Sequence, residues 1–451
     1  MTKGGRFVFK KFGVAKFGVA SLVPFLGLTG LLSACAGKGG ESAKSGGDGD
    51  AAAVNEPAEL IVYSNSGDTP ESFDERFGNA IRKKFPQYTI TYLQKKQGQG
   101  LAELVAQGTP IDLYWESVGQ FMTGIMQFEL QYDMTDLIKK HNIDLNRLEP
   151  TTVDAMRQMS GGKMYGIPVI NNNLSLFYNK DIFNKFGVPY PKDGMTWDEV
   201  LDLNRKLTRV DGGKQYVGLG MSYVHFLRMN PFSLPYVDPK TLKATINTDP
   251  RWKTLYEYGV VNLTSDQGFR ERIAGKGLPQ GETVLTKDQD LAMYLFQSSY
   301  FYTRDLSGIN WDMVSFPTFK EAPGVGSQAY PTYFSVTRTA KYKDQAMNVI
   351  KFLISDEFQM EISRKGLMTI LKDEKIRQAF GQDGPYKDKN LKAVFYNKFA
   401  PISPKTLYDA DAEKAYRDPI TDLALGNTDL NTAFRKIEEA ANKAIAEKMQ
   451  Q

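Results

Sequence analysis

Leu60-Ile61-Val62-Tyr63, Tyr88-Thr89-Ile90-Thr91-Tyr92 and Ile111-Asp112-Leu113-Tyr114-Trp115 are the three runs on which the fold turns. The first is a short apolar run suited to a buried strand, and the second alternates with period two. Between them Phe73, Phe77, Ile81 and Phe85 recur at helical spacing and stop at Pro86. Leu101 to Ala106 supplies a second short helix before the break Gly108-Thr109-Pro110. This β-α-β-α-β order predicts an α/β body with a mainly parallel sheet covered by helices. Ligands of such sheets settle beyond the carboxyl ends of the strands. The loops to watch are therefore residues 64–70 and 116–120.

Outward from that core, Thr196-Trp197-Asp198-Glu199 reads as a helix-capping box, with Val200, Leu203 and Leu207 forming the apolar face behind it. Leu430 to Ile445 is an amphipathic helix with Leu430, Phe434, Ile437, Ala441, Ala444 and Ile445 on one stripe. The chain has 451 residues, 41% hydrophobic and 24% charged, which suits a soluble body of two or three domains.

The amino terminus reads as an address. Lys3, Arg6, Lys10, Lys11 and Lys16 lie in residues 1–34 without a single acid, and beyond them the balance is 51 basic to 52 acidic residues. No basic face for nucleic acid survives. The apolar run Phe17 to Leu32 contains Pro24 and is short for a spanning helix, so it fits a signal segment. It ends in Leu32-Ser33-Ala34-Cys35, which resembles the lipobox of bacterial lipoproteins. The chain's one cysteine sits where lipidation needs it, and an ordinary secretory signal is the alternative. Residues 35–58 then form a Gly, Ser, Ala and Asp-rich tether.

Catalytic signatures are missing. There is no Gly-x-Ser-x-Gly elbow, no His-Glu-x-x-His and no phosphate loop. Two histidines argue against a His-rich metal site, and neither cofactor nor metal is expected. The 23 tyrosines are more telling, because several stand beside polar loops. Rings stack on the apolar faces of sugars while acids and amides pair with their hydroxyls. Asn171-Asn172-Asn173 is either a turn or a polar edge facing a cleft.

Gly162-Lys163-Met164-Tyr165-Gly166-Ile167-Pro168, the run Leu174 to Asp181 with Tyr178-Asn179-Lys180-Asp181, and Thr196 to Glu199 are more specific together than apart. They resemble the extracellular solute-binding proteins of carbohydrate ABC transporters, the maltose-binding type, over essentially all of the chain from Glu59 onward. The resemblance implies a two-lobe periplasmic-binding-protein-like fold of class II, with hinge-joined lobes that each carry a mixed sheet flanked by helices. Lobe 1 would take residues 59–167 and 318–371, and lobe 2 residues 168–317 and 372–451. It implies a monomer that binds a carbohydrate between the lobes and delivers it to permease subunits, anchored to the membrane by lipid on Cys35. The family's polar positions fall on Ser66 and Asp68 after the first strand and on Trp115 and Glu116 after the third. Asn172, flanked by Asn171 and Asn173, takes the interlobe position, and Tyr223 and His225 an aromatic platform. Where the family often carries a stacking tryptophan, Gln297 and Tyr300 stand instead, and the later Gly-x-x-Pro turn reads Gly366-Leu367-Met368-Thr369. Trp197 belongs to the capping box and is excluded. Two alternatives remain: a surface-anchored glycoside hydrolase using a carboxylate pair, and a binding protein for a non-sugar solute such as a polyamine or metal chelate.

Overall fold

The computed structural model describes residues 56–450; the leader, Cys35 and nearly all of the tether lie outside the described residues. The three opening strands form as β1 (Ala58–Ser64), β2 (Tyr88–Gln94) and β3 (Leu113–Ser117), and β1 pairs in parallel with both others. Three later segments complete their sheet: β4 (Ile167–Asn171), β11 (Thr332–Val336) and β12 (Met368–Thr369). The resulting order is β12-β4-β11-β3-β1-β2, with β11 antiparallel to both β3 and β4. The sheet is thus mixed, because strands that return from the second half of the chain enter it in the opposite sense.

A second sheet is built from the intervening chain. It contains β5 (Leu174–Asn179), β6 (Arg209–Asp211), β7 (Lys214–Met221), β8 (Leu291–Gln297) and β9 (Trp311–Ser315), in the order β6-β7-β8-β5-β9. A two-stranded ribbon pairs β10 (Val325–Gln328) with β13 (Lys398–Ala400). Each large sheet has its own apolar layer, so the body is a two-lobe α/β fold. Under the first, Leu60, Val62, Phe73 and Phe77 are fully buried, and Phe77 meets Phe334 edge-on at 4.9 Å. Under the second, Phe177, Leu219, Met293 and Trp311 are sealed in the same way.

Helical periodicity from Glu71 to Phe85 is realised in three pieces, with a π-helical turn (Asp74–Gly78) between two short α-helices. Gly78 permits this, because a Cβ there would lie 2.2 Å from Asp74 Oδ1, which instead accepts from Arg82 Nη1 at 2.6 Å. The capping box forms as the sequence indicates: the Thr196 amide donates to Glu199 Oε2 at 2.7 Å and the Glu199 amide to Thr196 Oγ1 at 3.4 Å. Trp197 is 1% exposed and packs edge-on against Phe226 and Phe316.

Between β4 and β5 the chain passes from one sheet to the other through Asn172 and Asn173, so the first sheet keeps the chain as far as Asn171. It returns between β9 and β11 and leaves again beyond β12. The first crossing is held by its own amides. Asn172 Nδ2 donates to Ser299 Oγ at 2.8 Å, and Asn172 Oδ1 accepts from Ser298 Oγ at 2.7 Å. Asn173 Nδ2 donates to the Val394 carbonyl at 2.7 Å, and Asn171 Oδ1 accepts from the Tyr330 amide at 3.1 Å. Removing one partner strands the others, at about 1–3 kcal/mol for each group left buried. Asn172→Ala is therefore expected to lower the unfolding free energy in urea by roughly that amount; an unchanged midpoint would show that Ser298 and Ser299 do not depend on the amide.

Candidate functional site

A cleft of about 880 Å³, open to solvent, lies where the carboxyl ends of β1, β3 and β4 face the end of β8 across the crossing. Strand register explains the convergence: Thr332 of β11 stands opposite both Ser117 of β3 and Ile170 of β4, and all three line the cleft. From the first lobe Ser66, Asp68, Arg76 and Glu116 reach it, and from the second Gln297, Ser299 and Tyr302. Gly366, Leu367 and Met368 form an apolar wall.

Glu116 is an electrostatically strained group of the cleft. Its side chain is almost fully buried; Oε1 accepts from the Ser117 amide at 2.8 Å, while Oε2 has no hydrogen-bond partner. Burial pushes the carboxyl up to about 7, the Asp68 carboxylate adds to the rise, and the Ser117 hydrogen bonds and Lys95 oppose it. Asp68 is half-exposed and braced by the Ser72 hydroxyl at 3.1 Å, with Arg76 Nη1 at 3.7 Å. The Ser66 hydroxyl donates to its other oxygen at 2.5 Å. Two carboxylates and one guanidinium therefore face the same space.

Seven of the eleven positions expected from sequence line the cleft: Ser66, Asp68, Trp115, Glu116, Asn171, Asn172 and Gln297. Their surroundings differ. Trp115 is only 2% exposed, stacked between neighbours such as Tyr92 and Phe334, and the Arg76 guanidinium covers it at 5.1 Å. Its ring is core, and no face of it is free for stacking. Both amide atoms of Asn172 are engaged by Ser298 and Ser299, so this side chain serves the crossing first. Gln297 makes no side-chain hydrogen bond among the described residues and remains available to a ligand.

The other four lie elsewhere. Asn173 turns away to the Val394 carbonyl. Tyr223 is buried on the helix Tyr223–Arg228, where burial raises its phenol. His225 pairs with Ser222 Oγ at 2.7 Å and meets Phe296 edge-on, and burial pushes its imidazole down to about 3. Tyr300 is fully buried against Phe177 and Phe296 and donates to the Glu282 carbonyl at 2.6 Å.

Among the lining residues, Ser117 falls in the loop 116–120 marked from sequence, while Arg76, Ser298, Ser299 and Thr332 were not singled out. Tyr330, which the sequence does not distinguish from the other tyrosines, proves central. Its hydroxyl accepts from Arg228 Nη1 at 2.8 Å and lies 3.3 Å from Ser117 Oγ, joining the lobes at the base of the cleft. Arg228 is held from behind by Glu413 at 2.8 and 2.9 Å. Gly119 makes room for this junction, since a Cβ there would fall 2.3 Å from the Tyr330 hydroxyl. Among the described residues no His, Cys, Asp and Glu group could hold a metal ion.

Residues 63–360 match the profile of the family described as bacterial extracellular solute-binding protein, and the chain belongs to that family. Solved structures share the fold at low identity. A sugar transporter from Rhizobium etli in an open conformation is 18% identical, with a TM-score of 0.67, covering 85% of this chain and 98% of that one. An ABC substrate-binding protein from Listeria monocytogenes, in complex with cycloalternan, is 18% identical with a TM-score of 0.65, covering 87% and 100%. UgpB from Mycobacterium tuberculosis, in complex with glycerophosphocholine, is 14% identical with a TM-score of 0.64, covering 87% and 99%. The family and these neighbours are binding proteins rather than enzymes. Among the described residues no helix is long and apolar enough to cross a membrane.

The raised Glu116 carboxyl has a consequence for stability. A folded-state value above the unfolded one means that stability is full below the unfolded value and is lost as pH rises through about 7. The cost above that pH is on the order of 3 kcal/mol. Glu116→Gln keeps the shape and removes the charge, so it should raise the melting temperature at about pH 8.5 more than at about pH 5. Equal shifts at both pH values would contradict a buried, titrating Glu116.

Proposed function

We propose that this chain is the capture subunit of a carbohydrate ABC importer. It is a lipid-anchored protein on the extracytoplasmic face that holds a sugar, most simply an oligosaccharide, between its lobes and passes it unaltered to permease subunits in the membrane. The observation that carries this reading is the unpartnered, buried Glu116 Oε2 in a cleft that also carries the hydroxyls of Ser66, Ser299 and Thr332 and the amide of Gln297. A sugar hydroxyl donates to that oxygen and accepts from Ser66 or the Gln297 amide at the same time. Filling an empty acceptor in a buried site gains more than adding a contact on the surface. Tyr302 and Tyr330 offer ring surface beside these groups. The cycloalternan held by the Listeria protein supports a carbohydrate as the cargo.

The mechanism is population shift. A ligand contacts both lobes only when they are closed, so binding stabilises the closed form about the crossings, and the permease reads that form. A second reading, an ammonium-bearing solute, draws on Asp68 and Glu116 facing one cleft and on the glycerophosphocholine of the mycobacterial structure. Arg76 beside Asp68 counts against it. Cys35 is the lipidation site in this proposal, with residues 1–34 as the removed leader and the following tether as a leash.

A melting screen of neutral oligosaccharides against polyamines and choline esters separates the readings. Ligand at 100 times its Kd adds about 2.7 kcal/mol of stability. Sugars that raise the melting temperature and are recovered intact support capture; a response to the cationic solutes alone supports the second reading, and cleaved sugar would mean a hydrolase. Asp68→Ala should weaken binding at least tenfold while leaving the unliganded melting temperature nearly unchanged, and loss of folding would make Asp68 a structural residue. Cys35→Ser should move the protein from the membrane to the soluble fraction with ligand affinity intact; retention in the membrane would mean an uncleaved anchor.

A further inference from the structure

One contact crosses the mouth of the cleft. Tyr302 sits on the short helix Tyr300–Thr303 that follows β8 of the second sheet, and Glu75 on the turn Asp74–Gly78 that follows β1 of the first. The Tyr302 hydroxyl donates to Glu75 Oε1 at 3.1 Å. The helix is firmly seated, since Tyr300 is fully buried, its hydroxyl donates to the Glu282 carbonyl, and Phe301 stacks on Trp311. The Tyr302 ring is therefore presented on a fixed base, and its distal end is the part free to make or break the tie.

Tyr302 also borders two spaces. On one side is the cleft of about 880 Å³ that contains Glu116. On the other is an outer hollow of about 790 Å³, lined by Glu75, Phe301, Lys365, Asp383 and Tyr386. Tyr302 is the single residue that lines both. The outer hollow lacks the hydroxyls and amides of the inner one, but the Tyr386 ring beside Glu75, Asp383 and Lys365 still offers a stacking face and charged hydrogen-bonding groups to a polyol chain. Burial and the neighbouring Glu75 carboxylate raise the Tyr302 phenol, so it keeps its proton and remains a donor to Glu75 at physiological pH.

We infer that Tyr302, tied to Glu75, is a gate that sets the length of chain the cleft accepts. With the tie made, the ring closes the inner cleft and a ligand ends against it. With the tie broken and the ring displaced, the inner and outer spaces join and a longer linear chain fits. This rests on the carbohydrate reading of the site and adds to it a specificity-determining pair, one member from each lobe.

The test is a ladder of α-1,4- and β-1,4-linked gluco-oligosaccharides of increasing length, titrated by calorimetry into the wild type, Tyr302→Ala and Glu75→Ala. The wild type is expected to gain affinity with length up to a limit and then level or fall. In Tyr302→Ala the limit should move to longer chains, with the longest bound at least tenfold tighter than by the wild type. Glu75→Ala, which leaves the ring and cuts the tie from the other lobe, should shift the limit the same way by a smaller factor, and covers the case in which Tyr302→Ala fails to fold. Affinity that changes by one common factor at every length would overturn the gate while leaving carbohydrate capture standing. A wild type silent to every chain in both ladders would overturn the carbohydrate reading and the gate with it.

Discussion

The insertion of β11 between β3 and β4 is the constraint on which the rest of the structure depends. Its five residues pair antiparallel with β3 and the first three of them with β4, and this can happen only after the chain has left the first sheet, built the second and come back. The return makes two lobes out of one chain and obliges the connections to lie side by side. It also fixes the register that brings Thr332, Ser117 and Ile170 to one level, so the floor of the cleft is a by-product of strand pairing. Slipping β11 by one residue would turn Tyr333 and Phe334, both fully buried, to the opposite faces.

On that floor the electrostatics are set by what the strands exclude. Glu116 is near the end of β3, where the sheet buries it and only its own neighbour Ser117 reaches Oε1. The lobes are joined beneath it through Ser117, Tyr330, Arg228 and Glu413, a chain of polar contacts that runs from first lobe to second. A group left short of a partner beside a well-satisfied network is the arrangement expected where a ligand completes the set.

The fold was legible where periodicity speaks. The three opening strands, the helix at Leu101–Ala106, the Thr196–Glu199 capping box and the amphipathic C-terminal helix all follow from local spacing and cap chemistry. The mixed character of the first sheet follows from the family resemblance and not from periodicity, which points to a mainly parallel sheet, because the pairing of β11 with β3 joins residues more than 200 positions apart and no local signal records it. The site divides along the same line. Ser66, Asp68 and Glu116 follow strand ends, and the strand-end rule finds them. Trp115 and Tyr300 show its limit, since an aromatic beside a loop in sequence was buried by neighbours that only the tertiary fold supplies. Asn172 shows another: a run of amides fits a ligand edge and a hinge equally, and only the positions of Ser298 and Ser299 decide between them. Tyr302 carried no signal that set it apart from the other tyrosines.

The account's central claim is that two lobes close on a hydroxyl-rich guest and open to release it unchanged. Small-angle X-ray scattering of the purified protein, with and without an oligosaccharide that binds, tests this most directly. Closure predicts a smaller radius of gyration in the saturated sample, reversed when the sugar is dialysed away and recovered whole. A radius indifferent to bound sugar would mean that the lobes do not move to hold it, and the account would fail.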